Sequence, residues 1–274
     1  MVRQARQRPS RRDRKAQADM KGKLLIGLVG LVFALAVFAY VQAVGGKVKV
    51  NAETLCPEAG PVSVTAFVID RTDSVTPVQR QLLTTRFEET RQSVPKHGLL
   101  QIYTVGPIKA DVLKPDFSLC NPGSGEDLSQ WTANPRLAKR TWATVFDQPL
   151  RHVLDGMLEA GQADQSPIME TIQSVASTAF APYADAADKN LVVVSDLLQH
   201  SEAASQYKGA PAFESFKGTA AYRKVKANLS DVNVQVLYIR RETGKTIQGA
   251  SHIGFWSSYF VDQGASDFRA ESIF

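Results

Sequence analysis

The sequence is poor in the residues from which zinc sites and nucleophilic catalytic sites are built. Its 274 residues include only two cysteines and four histidines, and the patterns G-x-S-x-G and H-E-x-x-H are both missing. A phosphate-binding loop is missing as well, because Ile239 stands where G-x-x-x-x-G-K-T needs its first glycine, ahead of Gly244-Lys245-Thr246. These absences exclude the common serine-hydrolase, zinc-protease and P-loop patterns. Any site must therefore be sought among carboxylates and hydroxyls.

The main part of the chain also lacks an excess of positive charge. Residues 1–23 carry nine Lys or Arg against two acidic residues, a net charge of +7, whereas the remaining residues sum to −2. The overall net charge of +5 therefore comes from a basic tail. A folded part with this balance lacks the positive surface of a nucleic-acid-binding protein, and we expect no nucleic-acid partner.

Charge is absent altogether from residues 24–44, LLIGLVGLVFALAVFAYVQAV. At about 1.5 Å of rise per residue, a helix of this length crosses the roughly 30 Å hydrocarbon core of a bilayer. Cleavage as a signal peptide near Val41-Gln42-Ala43 is the alternative, but the apolar run exceeds the usual length of about 7–15 residues. We predict an uncleaved membrane anchor with residues 1–23 in the cytoplasm, by the positive-inside rule, and the rest periplasmic or extracellular.

Both cysteines lie in the part of the chain that this topology exports. Cys56 and Cys120 are flanked by TLCPEAGP and SLCNPGSG, which are turn-rich sequences unlike the surroundings of buried core thiols. An oxidising compartment permits a disulfide, and we predict one between them. Residues 45–60 are predicted to be a linker and residues 61–274 a single domain.

Beyond the linker, apolar strand patterns alternate with helix patterns. The predicted strands are 62–69, 99–105, a short one near 117, 191–196 and, as the last clear one, 232–239. The predicted helices are 77–93, 135–160 with a break at Pro149, one along the stripe of Ile168, Ile172, Val175 and Ala179, 211–227, and a closing aromatic helix around 255–260. This alternation predicts an α/β fold with a doubly wound, mostly parallel sheet between two layers of helices. In such sheets, ligands bind beyond the carboxyl ends of the strands.

A carboxylate and alternating hydroxyls follow the first strand. Asp70, Thr72 and Ser74 have the spacing D-x-T-x-S, and alternate side chains of a loop that leaves a strand can turn toward one centre. Carboxylate and hydroxyl oxygens are hard ligands, which suit Mg²⁺, Mn²⁺ or Ca²⁺ better than zinc or copper. The stretch therefore predicts a divalent-cation site, with Asp73 as an additional acid in the same loop.

Two later segments extend this pattern. Ser166 stands just before a predicted helix that begins at Pro167, and Asp196 ends a predicted strand. Together the three segments resemble the metal-ion-dependent adhesion site of von Willebrand factor A (vWA) domains, which has D-x-S-x-S, Thr and Asp on three successive loops. The matching positions are Asp70, Thr72, Ser74, Ser166 and Asp196.

The resemblance covers about residues 61–264 and implies a binding module, not an enzyme. Protein oxygens would hold the cation and leave it one open position, which an acidic side chain of a protein partner fills; no reaction and no small-molecule substrate are implied. Thr72 stands where the family usually has Ser, and Ser166 where it usually has Thr, but both keep a hydroxyl. Leu197 stands where a Gly often follows the third-loop Asp, which bears on the shape of that loop.

The sequence leaves three alternatives open. Hydroxyls ahead of Pro77 and Pro167 also suit helix caps, which need no metal. Asp70 could serve as the nucleophile of a haloacid-dehalogenase-like phosphatase, but Thr72 stands where that family needs a second acid. The third alternative is a metal-free scaffold in an envelope assembly such as a secretion or conjugation complex.

Overall fold

Two units make up the chain, Met1–Lys49 and Val50–Phe274. The computed structural model describes residues 11–45, 48–72, 74–106, 113–126, 134–157, 163–207, 209, 211–242 and 244–274. The first ten residues of the predicted basic tail and Asp73 lie outside these ranges.

One long helix, α1 (Arg11–Gly45), accounts for the first unit as far as it is described. Its segment Met20–Val41 has a mean hydropathy of 2.7, and none of it is buried inside the protein. An exposed helix that is apolar on every face is typical of a membrane span. Within the described ranges, one helix, near the N-terminus, is long and apolar enough to cross a membrane, and it overlaps the predicted span 24–44.

A six-stranded sheet in the order β3-β2-β1-β4-β5-β6 forms the centre of the second unit. Every neighbouring pair is parallel except β2 and β3, which are antiparallel. The strands are β1 (Ser63–Ile69), β2 (Leu99–Thr104), β3 (Phe117–Cys120), β4 (Asp188–Ser195), β5 (Val232–Ile239) and β6 (Asp267–Ile273). The fold is thus α/β with a mostly parallel sheet, as the sequence predicts.

Helices connect these strands and supply both halves of the core. They are α2 (Pro77–Ser93), α3 (Pro135–Trp142), α4 (Gln148–Met157), α5 (Ile168–Val175), α6 (Phe213–Lys217), α7 (Ala220–Lys224) and α8 (Ala250–Asp262). A π-helical turn, Ala143–Asp147, joins α3 to α4, and another, Ala176–Phe180, extends α5.

Successive residues of the central strands are buried in different clusters. Ala66 and Val68 of β1 pack in a cluster with α5 and α8, whereas Phe67 and Ile69 pack in another with α2 and α4. Because side chains alternate between the two faces of a strand, consecutive residues of β1 must be apolar to serve both clusters, as residues 66–69 are. This explains the uninterrupted apolar run that ends at Asp70.

The positions of β1 and β4 decide where a site can form. From β1 the chain runs outward through β2 and β3, then returns to β4 on the other side of β1 and continues through β5 to β6. Ile69 of β1 is in register with Val194 of β4. The loops that follow these two parallel strands therefore leave the sheet side by side, at the point where the strand order reverses.

Three features of the secondary structure differ from the prediction. The edge strand β6 follows residues 232–239, the last clear strand of the sequence, and was not predicted; its sequence DFRAESI is half polar and gives no apolar run. Residues 135–157 form two helices, α3 and α4, but they are separated by the π-helical turn Ala143–Asp147, which precedes Pro149; residues 158–160 of the predicted helix lie outside the described ranges. Residues 211–227 form two short helices, α6 and α7, in place of one.

A disulfide connects the start of the second unit to the edge of its sheet. The sulfur atoms of Cys56 and Cys120 are 2.07 Å apart, and Cys120 is the last residue of β3. The Cys120 N–H group also donates to the carbonyl of Thr54 (2.9 Å). Residues 50–60, within the predicted linker, are therefore held to the folded unit.

Candidate functional site

The Asp70 carboxylate is the centre of a hydrogen-bonded cluster at the carboxyl edge of the sheet. Its Oδ1 atom accepts from the Thr72 amide (3.0 Å) and the Thr72 hydroxyl (2.7 Å). Its Oδ2 atom accepts from the hydroxyls of Ser166 (2.9 Å) and Ser195 (2.8 Å). Asp70 is only 6% exposed, and its own N–H group donates to Val194 of the neighbouring strand (2.8 Å). Three separate segments thus meet at one buried carboxylate.

Three loops surround this cluster, and we name them by their order along the chain. The first loop (residues 70–76) leaves β1, the second (163–167) precedes α5, and the third (196–206) leaves β4. A pair of backbone hydrogen bonds between Ser166 and His200 (2.8 and 2.9 Å) ties the second loop to the third. The relative position of these loops is therefore fixed by main-chain contacts as well as by side chains.

The hydroxyls of Thr72 and Ser166 do not cap the helices that follow them. The N-cap of α2 is Thr76, which forms a capping box with Gln79. The N-cap of α5 is Pro167, which makes no side-chain cap bond, and Ser166 donates to Asp70 instead. The capping alternative therefore fails for these two hydroxyls, and both belong to the carboxylate cluster.

The second carboxylate, Asp196, lies beside the cluster and is 2% exposed. Its Oδ1 atom accepts from the Leu198 amide (2.9 Å), and its Oδ2 atom accepts from Nε of Arg241 (3.1 Å). Burial and the nearby negative charge of Asp70 raise the pKa of Asp196 to about 6, outweighing the opposite effects of the Leu198 amide and Arg241. Two carboxylates thus lie close enough to repel each other.

Two residues of the site, Ser195 and Arg241, were not among the predicted ligands. Ser195 precedes Asp196 and is completely buried, and its hydroxyl joins the cluster because it points to the same side of the sheet as Asp70. Arg241 follows β5, the next parallel strand, so its position at this edge follows from the strand order alone. A search for polar residues after every parallel strand would have found Arg241.

Ser74 enters the site through its main chain, while its side chain is exposed. Its carbonyl accepts a hydrogen bond from Nη1 of Arg241, whose Nε donates to Asp196. Of the five predicted ligands, the structure thus joins Asp70, Thr72 and Ser166 directly. Asp196 lies beside them, and Ser74 is linked to it through a guanidinium group.

Leu197 adopts the backbone conformation that glycine favours. Its φ angle is +60°, and its side chain is completely buried in the core. Its amide donates to the Ser195 hydroxyl (2.8 Å), and its carbonyl accepts from the indole N–H of Trp256 (3.1 Å). These contacts hold the loop after Asp196 in a left-handed turn despite the absence of glycine.

We expect Leu197→Gly to be more stable than Leu197→Ala by about 1 kcal/mol, because alanine keeps the left-handed strain and glycine does not. Both lose the same buried contacts apart from one methyl group. Urea unfolding of the full chain in detergent measures the difference. The control pair is Leu83→Gly and Leu83→Ala in α2, where the glycine variant should be the less stable of the two because the position is helical. If glycine is the less stable variant at Leu197 as well, the proposed strain in the turn is contradicted.

The raised pKa of Asp196 makes stability depend on pH. Between the unfolded value of about 3.8 and the folded value of about 6, the folded state binds the extra proton. The free energy of unfolding therefore falls as the pH rises through this window, by about 3 kcal/mol from this group. Asp196→Asn should remove that fall. Denaturant unfolding at pH 4 and pH 7 in EDTA tests this, and parallel profiles for the two proteins would contradict it.

The oxygen atoms of this site are of the kind that binds a small hard cation, but they already take part in hydrogen bonds. Two carboxylates with Thr72 and Ser166 hydroxyls are the donor set that Mg²⁺ or Ca²⁺ prefers. Across the described ranges, no group of three or more His, Cys, Asp or Glu lies together, so hydroxyls and water must complete the coordination. Binding would require the two hydroxyls to turn their protons away from Asp70.

A scan against models of protein families and a search of curated proteins find no match for this chain.

Proposed function

We propose that this chain is a single-pass membrane protein whose vWA-like domain binds a protein partner with the help of a divalent cation. Mg²⁺, Mn²⁺ or Ca²⁺ would be held by Asp70, Thr72, Ser74, Ser166 and Asp196, and an acidic side chain of the partner would complete its coordination. The observation that carries the proposal is the cluster at Asp70, where residues 96 and 125 positions further along the chain donate to one buried carboxylate oxygen.

The layout of the sheet supports the vWA resemblance. The order β3-β2-β1-β4-β5-β6 reverses between β1 and β4, and helices contribute to core clusters that involve alternate strand residues. A doubly wound fold has these properties, and its ligands bind at the reversal. Asp70 and Asp196 follow the two strands that flank this point.

The cellular location belongs to the same proposal. An apolar helix near the N-terminus, preceded by a basic segment, suits an anchor with a cytoplasmic N-terminus. The disulfide between Cys56 and Cys120 suits an oxidising compartment for the domain. A periplasmic or extracellular domain on a short tether would meet partners close to the membrane, as in a cell-envelope assembly.

The charge of the site decides what kind of partner fits. Two buried carboxylates repel an incoming acidic side chain unless a cation lies between them, so affinity for an acidic ligand depends on the metal. The uptake of Mn²⁺ is therefore the first property to test.

Calorimetric titration of the full chain in detergent with Mn²⁺, after treatment with EDTA, tests the proposal. We expect one ion per chain, no binding by Asp70→Asn, and weaker binding by Ser166→Ala. Ser230→Ala is the matched control, because Ser230 precedes β5 at the opposite edge of the sheet. Absence of both heat and a shift in the melting temperature with wild-type protein would refute the proposal.

A metal-free scaffold is the second candidate, and one observation favours it. Asp70 already accepts four hydrogen bonds and Asp196 already pairs with Arg241, so neither carboxylate needs a metal to be stable in the fold. In this case the domain would bind its partners equally well in EDTA and in Mn²⁺.

A further inference from the structure

Arg241 occupies a position between the first and third loops. Its side chain is only 10% exposed, a low value for arginine, and pairs with the buried carboxylate of Asp196. Its Nη1 atom donates to the Ser74 carbonyl on the other side. One guanidinium group thus joins two of the three loops that are proposed to hold the cation.

The backbone around Arg241 is fixed in place by Gln248. The Gln248 side chain accepts from the Arg241 amide (2.7 Å) and donates to the carbonyls of Asp196 (3.0 Å) and Ile239 (2.8 Å). The side chain of Gln248 therefore holds the backbone of Arg241 and the main chain of the third loop together. This contact fixes the backbone from which the guanidinium group reaches Asp196.

We propose that Arg241 is a built-in cation that competes with the divalent ion for the Asp196 carboxylate and so sets the metal affinity of the site. This inference rests on the proposed function. A guanidinium at hydrogen-bond distance from Asp196 and a divalent ion on the same carboxylate would repel each other strongly in a buried position. The ion therefore binds only as Arg241 withdraws, and its apparent affinity falls by the cost of breaking that contact.

The structure offers Arg241 a place to withdraw to. A cleft beside the first loop is lined by Ser74, Arg240, Arg241, Glu242 and Lys245, among others. It is open to solvent and contains more basic than acidic side chains. An arginine displaced into this cleft would lie next to the cation site, where the acidic group of a partner arrives. Metal binding would then exchange an internal ion pair for an external one.

Mn²⁺ titrations of Arg241→Gln test the competition. We expect the variant to bind Mn²⁺ at least about tenfold more tightly than the wild type, because a charge-assisted hydrogen bond no longer has to be broken. Lys245→Gln is the matched control: it removes one positive charge from the same cleft, but Lys245 pairs with the exposed Glu242. Its Mn²⁺ affinity should change less than twofold.

A second readout separates competition from a structural role. In EDTA, Arg241→Gln should melt at a lower temperature than the wild type, since Asp196 is left without its partner, and saturating Mn²⁺ should restore most of the loss. Arg241→Lys, which keeps a cation but cannot contact Asp196 and Ser74 with the same planar group, should show intermediate affinity. This variant also keeps the test available if glutamine prevents folding.

The outcomes distinguish this inference from the function on which it rests. If the wild type binds Mn²⁺ and neither Arg241 variant binds it more tightly, the competition is refuted while the proposed cation site stands. If neither the wild type nor the variants bind Mn²⁺, both proposals are refuted. Equal gains in Arg241→Gln and Lys245→Gln would mean that general electrostatics alone sets the affinity, and this too would overturn the role of Arg241.

Discussion

Replacing Asp70 with alanine is expected to lower the free energy of unfolding by about 4 kcal/mol. The change leaves the buried hydroxyls of Ser166 and Ser195, together with the amide and hydroxyl of Thr72, without their common acceptor. An unsatisfied buried polar group costs about 1–3 kcal/mol. Relief from burying a charge offsets only part of this loss. Urea unfolding in EDTA measures the effect without any contribution from a bound metal.

Two further variants make this expectation specific. Asp70→Asn keeps an acceptor for Thr72, and the serine hydroxyls can rotate to accept from its amide, so it should cost about half as much as alanine. Asp116→Ala is the control, because Asp116 is exposed. Among the described residues, its carboxylate is recorded as accepting one hydrogen bond, from the hydroxyl of Thr104. It should cost less than about 1 kcal/mol. Equal losses for Asp70 and Asp116 would show that the cluster does not stabilise the fold.

Removing the disulfide is expected to cost about 4 kcal/mol, from the loss of a constraint on the unfolded chain. The bonded cysteines are 64 residues apart in sequence, so the bond closes a long loop in the unfolded state. The double variant Cys56→Ala/Cys120→Ala should show this loss in urea unfolding. A reducing agent should have a similar effect on the wild type.

The double variant also serves as the control for the reducing agent, because it has no disulfide to lose. Adding the reducing agent should leave the stability of this variant unchanged. A wild type that loses less than about 1 kcal/mol on reduction would contradict the expectation. That result would mean that contacts such as the hydrogen bond from Cys120 to Thr54 already hold residues 50–60 to the sheet.

The central part of the fold could be predicted from the sequence because it is buried on both faces. The strands that end at Ile69 and Ser195 contain apolar runs, residues 66–69 and 191–194, that are buried throughout, and such runs make a strong local signal. The edge strand β6 has no such signal, since much of it remains exposed. Similarly, no periodicity in the sequence indicates the π-helical turn that joins α3 to α4.

The candidate site was predictable only in part, for a related reason. Residues placed directly after buried strands, such as Asp70 and Asp196, can be located from the strand pattern. The contact between Ser166 and Asp70 was expected from a resemblance, whereas the ion pair between Arg241 and Asp196 depends on which strands are neighbours. Strand order is a non-local property, so the partner of Asp196 could not be named before the sheet was known.

Diffraction from crystals of the full chain grown in detergent with Mn²⁺, measured at a wavelength where manganese scatters anomalously, is the most direct test of the central claim. We expect an anomalous peak between the first, second and third loops, in contact with Asp70 or Asp196, and a guanidinium of Arg241 that has left Asp196. Crystals that show no peak there at saturating Mn²⁺, with the pair of Arg241 and Asp196 intact, would contradict it.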